Sequence, residues 1–317
     1  MTCVQVAERE WTLGEPLGQG GFGQVFKATC GTDVAAVKVV AKAPGADREL
    51  LLANVEGASN VLPILGTGED GDSWFLLMPL ADGNLRDRIE GGSLSFDEVV
   101  AILVNITSAL ADLDGEIVHR DLKPENVLHL EDRWCLADFG ISRYAEAATA
   151  TDTRKGFLSE PYAAPERWRF ERATIGSDVY SVGVIAFELV QGRRPFVGPT
   201  SGDFRIQHLE HDPPRLTGFG AAFASLVDEC LSKAPEARPR PANLLKRLAG
   251  VQVQPASRGL SRLREANHDV VQQRSEHARR ESVERSASER LDVRLTRFDG
   301  RGCYAAMPSP WRLNLAS

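Results

Sequence analysis

The stretch VHRDLKPENVLHL, Val118 to Leu130, sets a His, an Arg, two acids, a Lys, a Pro and an Asn between the apolar pairs Ile117-Val118 and Val127-Leu128. The spacing of His119, Arg120, Asp121, Lys123 and Asn126 fits no helix face, and Pro124 stops a helix from running through. Polar groups wedged between apolar segments are costly unless they are satisfied or used. The stretch is therefore either a plain surface turn or a working loop held between buried strands, and its company decides which. Shortly after it, WCLA reads as a short strand ending in Asp138-Phe139-Gly140. An acid at a strand end before Gly is a common turn. Asn126 and Asp138 together, however, offer oxygen ligands to a hard cation such as Mg²⁺, which is held through a few oxygens plus substrate phosphates.

Two further patterns lie upstream. Gly18-x-Gly20-x-x-Gly23-x-Val25 lets backbone N–H groups approach phosphate oxygens closely. The stretch after Gly23, QVFKAT, reads as a strand, whereas a dinucleotide-binding turn must open a helix. In Ala36-Val37-Lys38 a cation sits in an otherwise apolar strand. It is either the solvent-facing partner in an alternation or a point charge for nucleotide phosphates. In the second case an acid must pair with it, and Glu49, on the short helix expected within DRELLLANVEG, is the first choice, with Glu56 as the alternative.

In order along the chain, GQGGFGQV, VAAVK, HRDLKPEN, DFG and APE resemble the signature set of the protein kinase family, in its eukaryotic-like, bacterial-type serine/threonine branch. SDVYSVG, with Asp178, and KAPEARP, whose Arg238 would pair with Glu166 of APE, extend the resemblance over roughly Trp11 to Gly250. It implies an α+β, bilobal fold with a small β-rich lobe (11–80) and a larger helical lobe (82–250). By this resemblance Leu17, Gly18, Gln19, Gly20, Gly21, Phe22, Gly23 and Val25 would cover ATP. Lys38 would hold its α/β-phosphates and pair with Glu49. Asn126 and Asp138 would hold Mg²⁺, with Mn²⁺ as a substitute. Asp121 would accept the proton of the substrate hydroxyl, and Lys123, a mark of the serine/threonine branch, would neutralise the transferring phosphate. The adenine would lie between Val25 and Ala36 above and Leu128 below, against a hinge running from Met78 through Pro79 to Ala81. Pro79 has no N–H, so the hinge donor would be Ala81.

The same resemblance places Ser159 on the peptide-binding segment, where that branch usually has Thr, and His119 beneath Phe139. Arg120 would answer a phosphate on the activation loop, where Thr149, Thr151 and Thr153 stand; autophosphorylation at Thr151 or Thr153 is expected. Only 11 residues separate Lys38 from Glu49, and Ala53 replaces a larger apolar residue. The helix carrying Glu49 is thus expected to be short and weakly packed, with low or partner-dependent resting activity. A pseudokinase scaffold is the rival function, opposed by the presence of Lys38, Asp121, Asn126 and Asp138. A small-molecule phosphotransferase is opposed by Ser159 and APE.

Several strands and helices are readable locally. DVAAVKVVA, VLPILGTGED and SWFLLMPL read as short strands, and Ala81-Asp82-Gly83 as the joint between lobes. Ser95 and Glu98 form a capping box for a helix with Val99, Ile102, Leu103, Ile106 and Leu110 on one face. VYSVGVIAFELV, too short for a membrane span and carrying Glu188, suits a buried helix. The 317 residues have a formal net charge of −7, which does not suggest a nucleic-acid binder. Segment 251–317 differs: 12 Arg, no Lys and 8 acids give +4, with few large apolar residues. It is expected to be a disordered extension or a partner-binding helix. Five Cys without C-x-x-C spacing read as reduced thiols, and the N-terminus lacks a signal pattern, so a cytoplasmic enzyme with protein substrates is expected.

Overall fold

The computed structural model describes residues 2–20, 23–42, 58–114, 117–139 and 159–251. Six antiparallel strands come first: β1 (Thr2–Val6), β2 (Arg9–Gly20), β3 (Gly23–Cys30), β4 (Asp33–Ala41), β5 (Gly66–Asp70) and β6 (Ser73–Met78). Their spatial order is β1-β2-β3-β4-β6-β5. The sheet thus begins at Thr2, ahead of the start expected at residue 11. The signal was a short alternation: Val4 and Val6 are buried while Thr2, Cys3 and Gln5 are exposed. The two valines pack with Trp11, Ala28, Ala35, Val37, Phe75 and Leu77. This strand also brings the sheet's two edges together. The Ala7 N–H donates to the Thr67 carbonyl at 3.3 Å. Gly68 lies so near Gln5 that a Cβ there would stand 2.0 Å from its carbonyl oxygen.

The strand expected in VLPILGTGED forms only over Gly66–Asp70, and Val61 makes a lone bridge to Leu136. Pro63 has no N–H to give a ladder. After the joint, β7 (Gly83–Asn84), β8 (Val127–Leu130) and β9 (Arg133–Leu136) form a second small sheet in that order. Asn84 caps α1 (Leu85–Glu90), its side-chain oxygen accepting the Asp87 N–H at 3.1 Å.

The helical part contains α2 (Phe96–Asp112), α3 (Pro165–Trp168), α4 (Ile175–Gln191), α5 (Ser201–Glu210), α6 (Ala221–Cys230) and α7 (Pro241–Ala249). The capping box on α2 is present: the Glu98 N–H donates to Ser95 Oγ at 3.2 Å and the Ser95 N–H to Glu98 Oε2 at 2.8 Å. Val99, Ile102, Leu103, Ile106 and Leu110 are all buried, each stabilising the fold by roughly 2 kcal/mol. Helix α4 is buried on every face from Ser177 to Leu189 and forms the axis of this core. It packs tightly on α6, because at Gly183 a Cβ would lie 2.8 Å from that of Cys230. Cys3, Cys30, Cys135 and Cys230 are free thiols. Among the described residues no helix is long and apolar enough to cross a membrane.

Candidate active site

The loop Val118–Asn126 runs between α2 and β8 and is clamped from below by α4. The backbone N–H groups of His119 and Arg120 donate to the two carboxylate oxygens of Asp178, at 2.7 and 2.8 Å. Asp178 stands in the first turn of α4, where the helix dipole favours a negative charge. Burial pushes its carboxyl up to about 7, while the two amides pull the other way. Arg120 has φ +73° and Asp138 φ +59°. Such backbone persists in non-glycine residues only where the surroundings over-determine it. At Arg120 the clamp does this. At Asp138 a fully buried His119 helps: its Nε2 lies 3.0 Å from the Ala137 carbonyl and its ring 4.6 Å from that of Phe139. Burial lowers the His119 pKa and keeps the ring neutral.

Above the clamp, charged and hydroxyl groups converge. Lys123 Nζ lies 3.0 Å from Asp121 Oδ2 and donates to Ser159 Oγ at 3.1 Å. The Ser159 hydroxyl in turn donates to Asp121 Oδ1 at 2.5 Å. Asn126, in the 3₁₀ turn Pro124–Asn126, donates its amide to the Asp121 carbonyl at 2.8 Å and to its Oδ2 at 3.3 Å. That leaves the Asn126 Oδ1 as an acceptor.

Lys38 is only 4 % exposed, so the alternative of a solvent-facing strand lysine fails. It stands in β4, flanked in register by Val25 and Leu76, and its Nζ donates to Asp138 Oδ1 at 2.8 Å. The Asp138 side chain is 46 % exposed and opens on the cleft. Crowding opposes its ionisation, but the Lys38 charge more than offsets this and holds the carboxyl below its usual range.

A cleft of about 1280 Å³ collects these groups. Leu17, Gly18, Gly23, Val25, Ala36, Lys38, Met78, Pro79, Ala81, Asp121, Lys123, Asn126, Leu128 and Asp138 all line it. Its apolar end is a packed cluster in which Val25 and Leu128 meet Met78, Leu62 and Ala137. Gln19 pairs with Gln24, and Gly20 with Gly23, across the β2–β3 turn. Gly23 cannot be another residue without rearrangement: its φ is +149°, and a Cβ would stand 2.3 Å from the Val39 carbonyl oxygen. The anchor of the segment that carries Ser159 lies deeper. Arg238 donates to both oxygens of Glu166 at 2.7 and 2.9 Å, and Ser177 donates to one at 2.6 Å. Burial raises the Glu166 pKa, but those bonds outweigh it and hold the carboxyl below the usual range.

The donor set suits a magnesium ion bridging to phosphates. Asp138 offers a half-exposed carboxylate and Asn126 a free amide oxygen, both on the cleft wall. Among the described residues no group of three His, Cys, Asp or Glu is gathered as in a protein-only metal cage. Two protein oxygens plus substrate phosphates are the usual magnesium arrangement.

Sequence reasoning missed Leu62, Ala137 and a wall of four linked residues, Arg86, Glu125, Tyr162 and Glu188. One signal for the last existed: Glu188 is the only charge within an apolar helix run. Other expectations fall outside the described residues: Gly21 and Phe22 of the glycine turn, Glu49 and its alternative Glu56, Gly140, Thr149, Thr151 and Thr153, and the segment beyond residue 251.

Comparison with known proteins shows the family. A family model described as "Protein kinase domain" matches residues 11–248. The serine/threonine-protein kinase PkaA of Streptomyces coelicolor is 32% identical over 268 residues, 75% of this chain and 49% of that protein. PknL of Mycobacterium tuberculosis, also named a serine/threonine-protein kinase, is 37% identical over 183 residues, 56% of this chain and 46% of its own length. PrkC of Bacillus subtilis, named likewise, is 32% identical over 185 residues, 57% of this chain and 28% of its own. The chain thus spans about half the length, or less, of these curated relatives.

Proposed function

The chain belongs to the protein kinase family, and on that premise we propose that it transfers the γ-phosphoryl group of ATP to serine and threonine hydroxyls of proteins. The observation that carries this reading is the triangle at Asp121. A carboxylate and the ammonium of Lys123 converge on one hydroxyl oxygen, that of Ser159, beside a buried Lys38 paired with Asp138. This is the environment a substrate hydroxyl needs: an acceptor for its proton and a cation for the charge that develops on the transferred group.

In the proposed reaction the hydroxyl oxygen forms a bond to the γ-phosphorus while the bond to the β–γ bridging oxygen breaks. ADP leaves with that oxygen, and the hydroxyl proton passes to Asp121. Lys123 neutralises charge on the transferring group, and Lys38 holds the α/β-phosphates from the buried side. The adenine lies in the apolar slot of Val25, Ala36, Met78 and Leu128, with Ala81 donating its backbone N–H. Leu17, Gly18 and the backbone of Gln19, Gly20 and Gly23 cover the phosphates, together with Gly21 and Phe22. Asn126 and Asp138 would hold a magnesium ion, which supplies charge neutralisation at the phosphates when bound. Glu49, or Glu56 in its place, would pair with Lys38, and Arg120 would read a phosphate at Thr151 or Thr153. Residues 11–250 form the catalytic domain of this reading. The Arg-rich segment 251–317 is an extension for a partner. Proteins are the substrates, in the cytoplasm.

Radiolabelled ATP with a generic basic protein tests the reading. Wild type is expected to label it, and Asp121→Asn and Lys38→Met each to lose labelling by at least about a hundredfold, the scale of a positioned proton acceptor for the first and of a charge stabilising the phosphates for the second. Equal labelling by all three would overturn it.

A further inference from the structure

Among the described residues, Lys38, Arg86, Lys123 and Arg194 are the lysines and arginines that line the cleft, and the first three are paired with acids. Lys38 donates to Asp138 Oδ1 at 2.8 Å, and Lys123 Nζ lies 3.0 Å from Asp121 Oδ2. Arg86 donates to Glu125 and to Glu188, each at 2.9 Å. Arg194 is the exception: among the described residues it makes no hydrogen bond and no ion pair. Its guanidinium carbon instead lies 5.9 Å from the ring centroid of Phe204. A ring face holds a guanidinium by its charge and uses none of its five N–H groups, so those donors stay available.

The position is held from both sides. Arg194 stands just past Gly192, the left-handed cap of α4 at φ +66°. Pro195 follows and steers the Arg194 backbone to an extended conformation, and Phe196 behind it is buried in the helical core. Beneath the guanidinium, Phe204 of α5 packs with Ala163 and Trp168. Ala163 continues the segment that carries Ser159: the Tyr162 N–H, one residue earlier, donates to the Ser159 carbonyl at 2.9 Å. Arg194 thus lines the cleft on a platform continuous with the segment whose hydroxyl reaches Asp121. The rest of this lining is acidic where it is unpaired. Asp87, Glu90 and Glu160 line the cleft with no lysine or arginine paired to them among the described residues. Such a lining repels a peptide carboxylate, and Arg194 is the one place on it that attracts one.

We propose that Arg194 is a specificity-determining residue: it takes an anionic side chain of the peptide substrate, a carboxylate or a phosphoryl group, at one position flanking the acceptor. This rests on the protein-kinase reading. A planar guanidinium with unused donors matches two oxygens of either group side by side. The peptide covers the half-buried Arg194 as it binds, and a cation taken out of water without a counter-charge is costly. A peptide that is neutral at this position therefore binds less well than an acidic one. The discrimination is sharpened by the unpaired acids of the lining, which disfavour an anion at the other positions.

The test uses the full chain and a degenerate Ser/Thr peptide library in which each flanking position is fixed in turn as Glu, phosphoserine, Gln or Lys. Wild type, Arg194→Gln, Arg194→Glu and, as a control, Arg193→Gln are compared; Arg193 is the exposed neighbour whose guanidinium lies over Phe187 at 5.8 Å. Wild type is expected to prefer an anion over Gln by about tenfold at one position, the scale of a charge-assisted hydrogen bond. Arg194→Gln loses that preference through KM, Arg194→Glu turns it into a preference for Lys at the same position, and Arg193→Gln keeps it. A preference for phosphoserine well above that for Glu identifies phosphorylated proteins as the anion's source; equal preference identifies acidic sequences, and both support the site. No anion preference in wild type, or one that survives Arg194→Gln, overturns the proposal. Phenylglyoxal labelling of Arg194, followed by mass spectrometry, gives a readout independent of activity. Library peptides with alanine as the acceptor and Glu at the chosen position slow the labelling of Arg194 and leave that of Arg193 unmoved; equal rates with the Glu and Gln peptides overturn the site. A wild type that labels no library peptide overturns the kinase reading instead. The phenylglyoxal rates, taken with Glu fixed at each position in turn, then still decide the site.

Discussion

Replacing Asp178 with alanine removes the two hydrogen bonds that tie the α4 core axis to the backbone that aims Asp121. The wild-type carboxylate accepts the His119 and Arg120 amides at 2.7 and 2.8 Å, from a position 1 % exposed. Each buried N–H left without an acceptor costs about 1–3 kcal/mol. Deleting a buried carboxylate relieves part of that, so Asp178→Ala is expected to lose about 2–4 kcal/mol of stability. With the clamp gone the Arg120 backbone, at φ +73°, relaxes toward ordinary values, a gain of about 1–2 kcal/mol. Relaxation displaces Asp121, the next residue. A displacement of about 1 Å is enough to lose about a hundredfold in kcat. Asp178→Asn keeps one acceptor oxygen and should fall between. The sign of the pH effect follows from the carboxyl's rise from 3.8 to about 7 on folding. A raised acid pKa means the folded state holds the proton longer. The Asp178 contribution is therefore most favourable below pH 3.8, declines as pH climbs, and levels off above about 7. Urea denaturation at several pH values, paired with phosphotransfer rates, measures both effects. An Asp178→Ala protein as stable as wild type and with unchanged kcat would refute the clamp, and identical pH slopes in wild type and Asp178→Asn would refute the titration.

Three other perturbations test neighbouring parts. Glu166→Ala strands Arg238, whose side chain is 0 % exposed, and should cost about 3–5 kcal/mol in urea melts; a loss under 1 kcal/mol sinks the idea that this pair anchors the Ser159 segment. Ser159→Thr keeps the hydroxyl between Asp121 and Lys123 and should retain activity, whereas Ser159→Val, near-isosteric with that threonine, should lose it; equal rates in the two variants would show that the hydroxyl is idle. Gly23→Ala must move either its own strained backbone or the Val39 carbonyl 2.3 Å away. It should weaken ATP binding by calorimetry with a stability loss of about 1–3 kcal/mol, and unaltered affinity counts against a phosphate-covering turn.

How far the site can be read from the chain follows from the range of its contacts. The helices of the larger lobe were legible because their information is local: Ser95 and Glu98 lie three residues apart, and the apolar face of α2 recurs at helical spacing. The motif residues on the cleft were legible by type, since few residue types supply a phosphate cation, a metal oxygen or a proton acceptor. What resisted was long-range and not tied to type. A lone lysine in a strand reads as solvent-facing until β4 is known to be buried along four consecutive residues, Ala35 to Lys38. The first strand has a two-valine alternation too short to separate from coil until β2 and β5 close on it. Arg86 is the extreme case. In LRDRIE it looks like an ordinary exposed helix cation, and its partners lie 39, 76 and 102 residues further on. No local pattern connects them. The one clue was Glu188, because a carboxylate inside an apolar helix must be paired to be tolerated. A lone charge in a buried run is thus better read as a demand for a distant partner than as a flaw in the helix, and here that demand leads from the core helix to the wall of the cleft beside the acceptor.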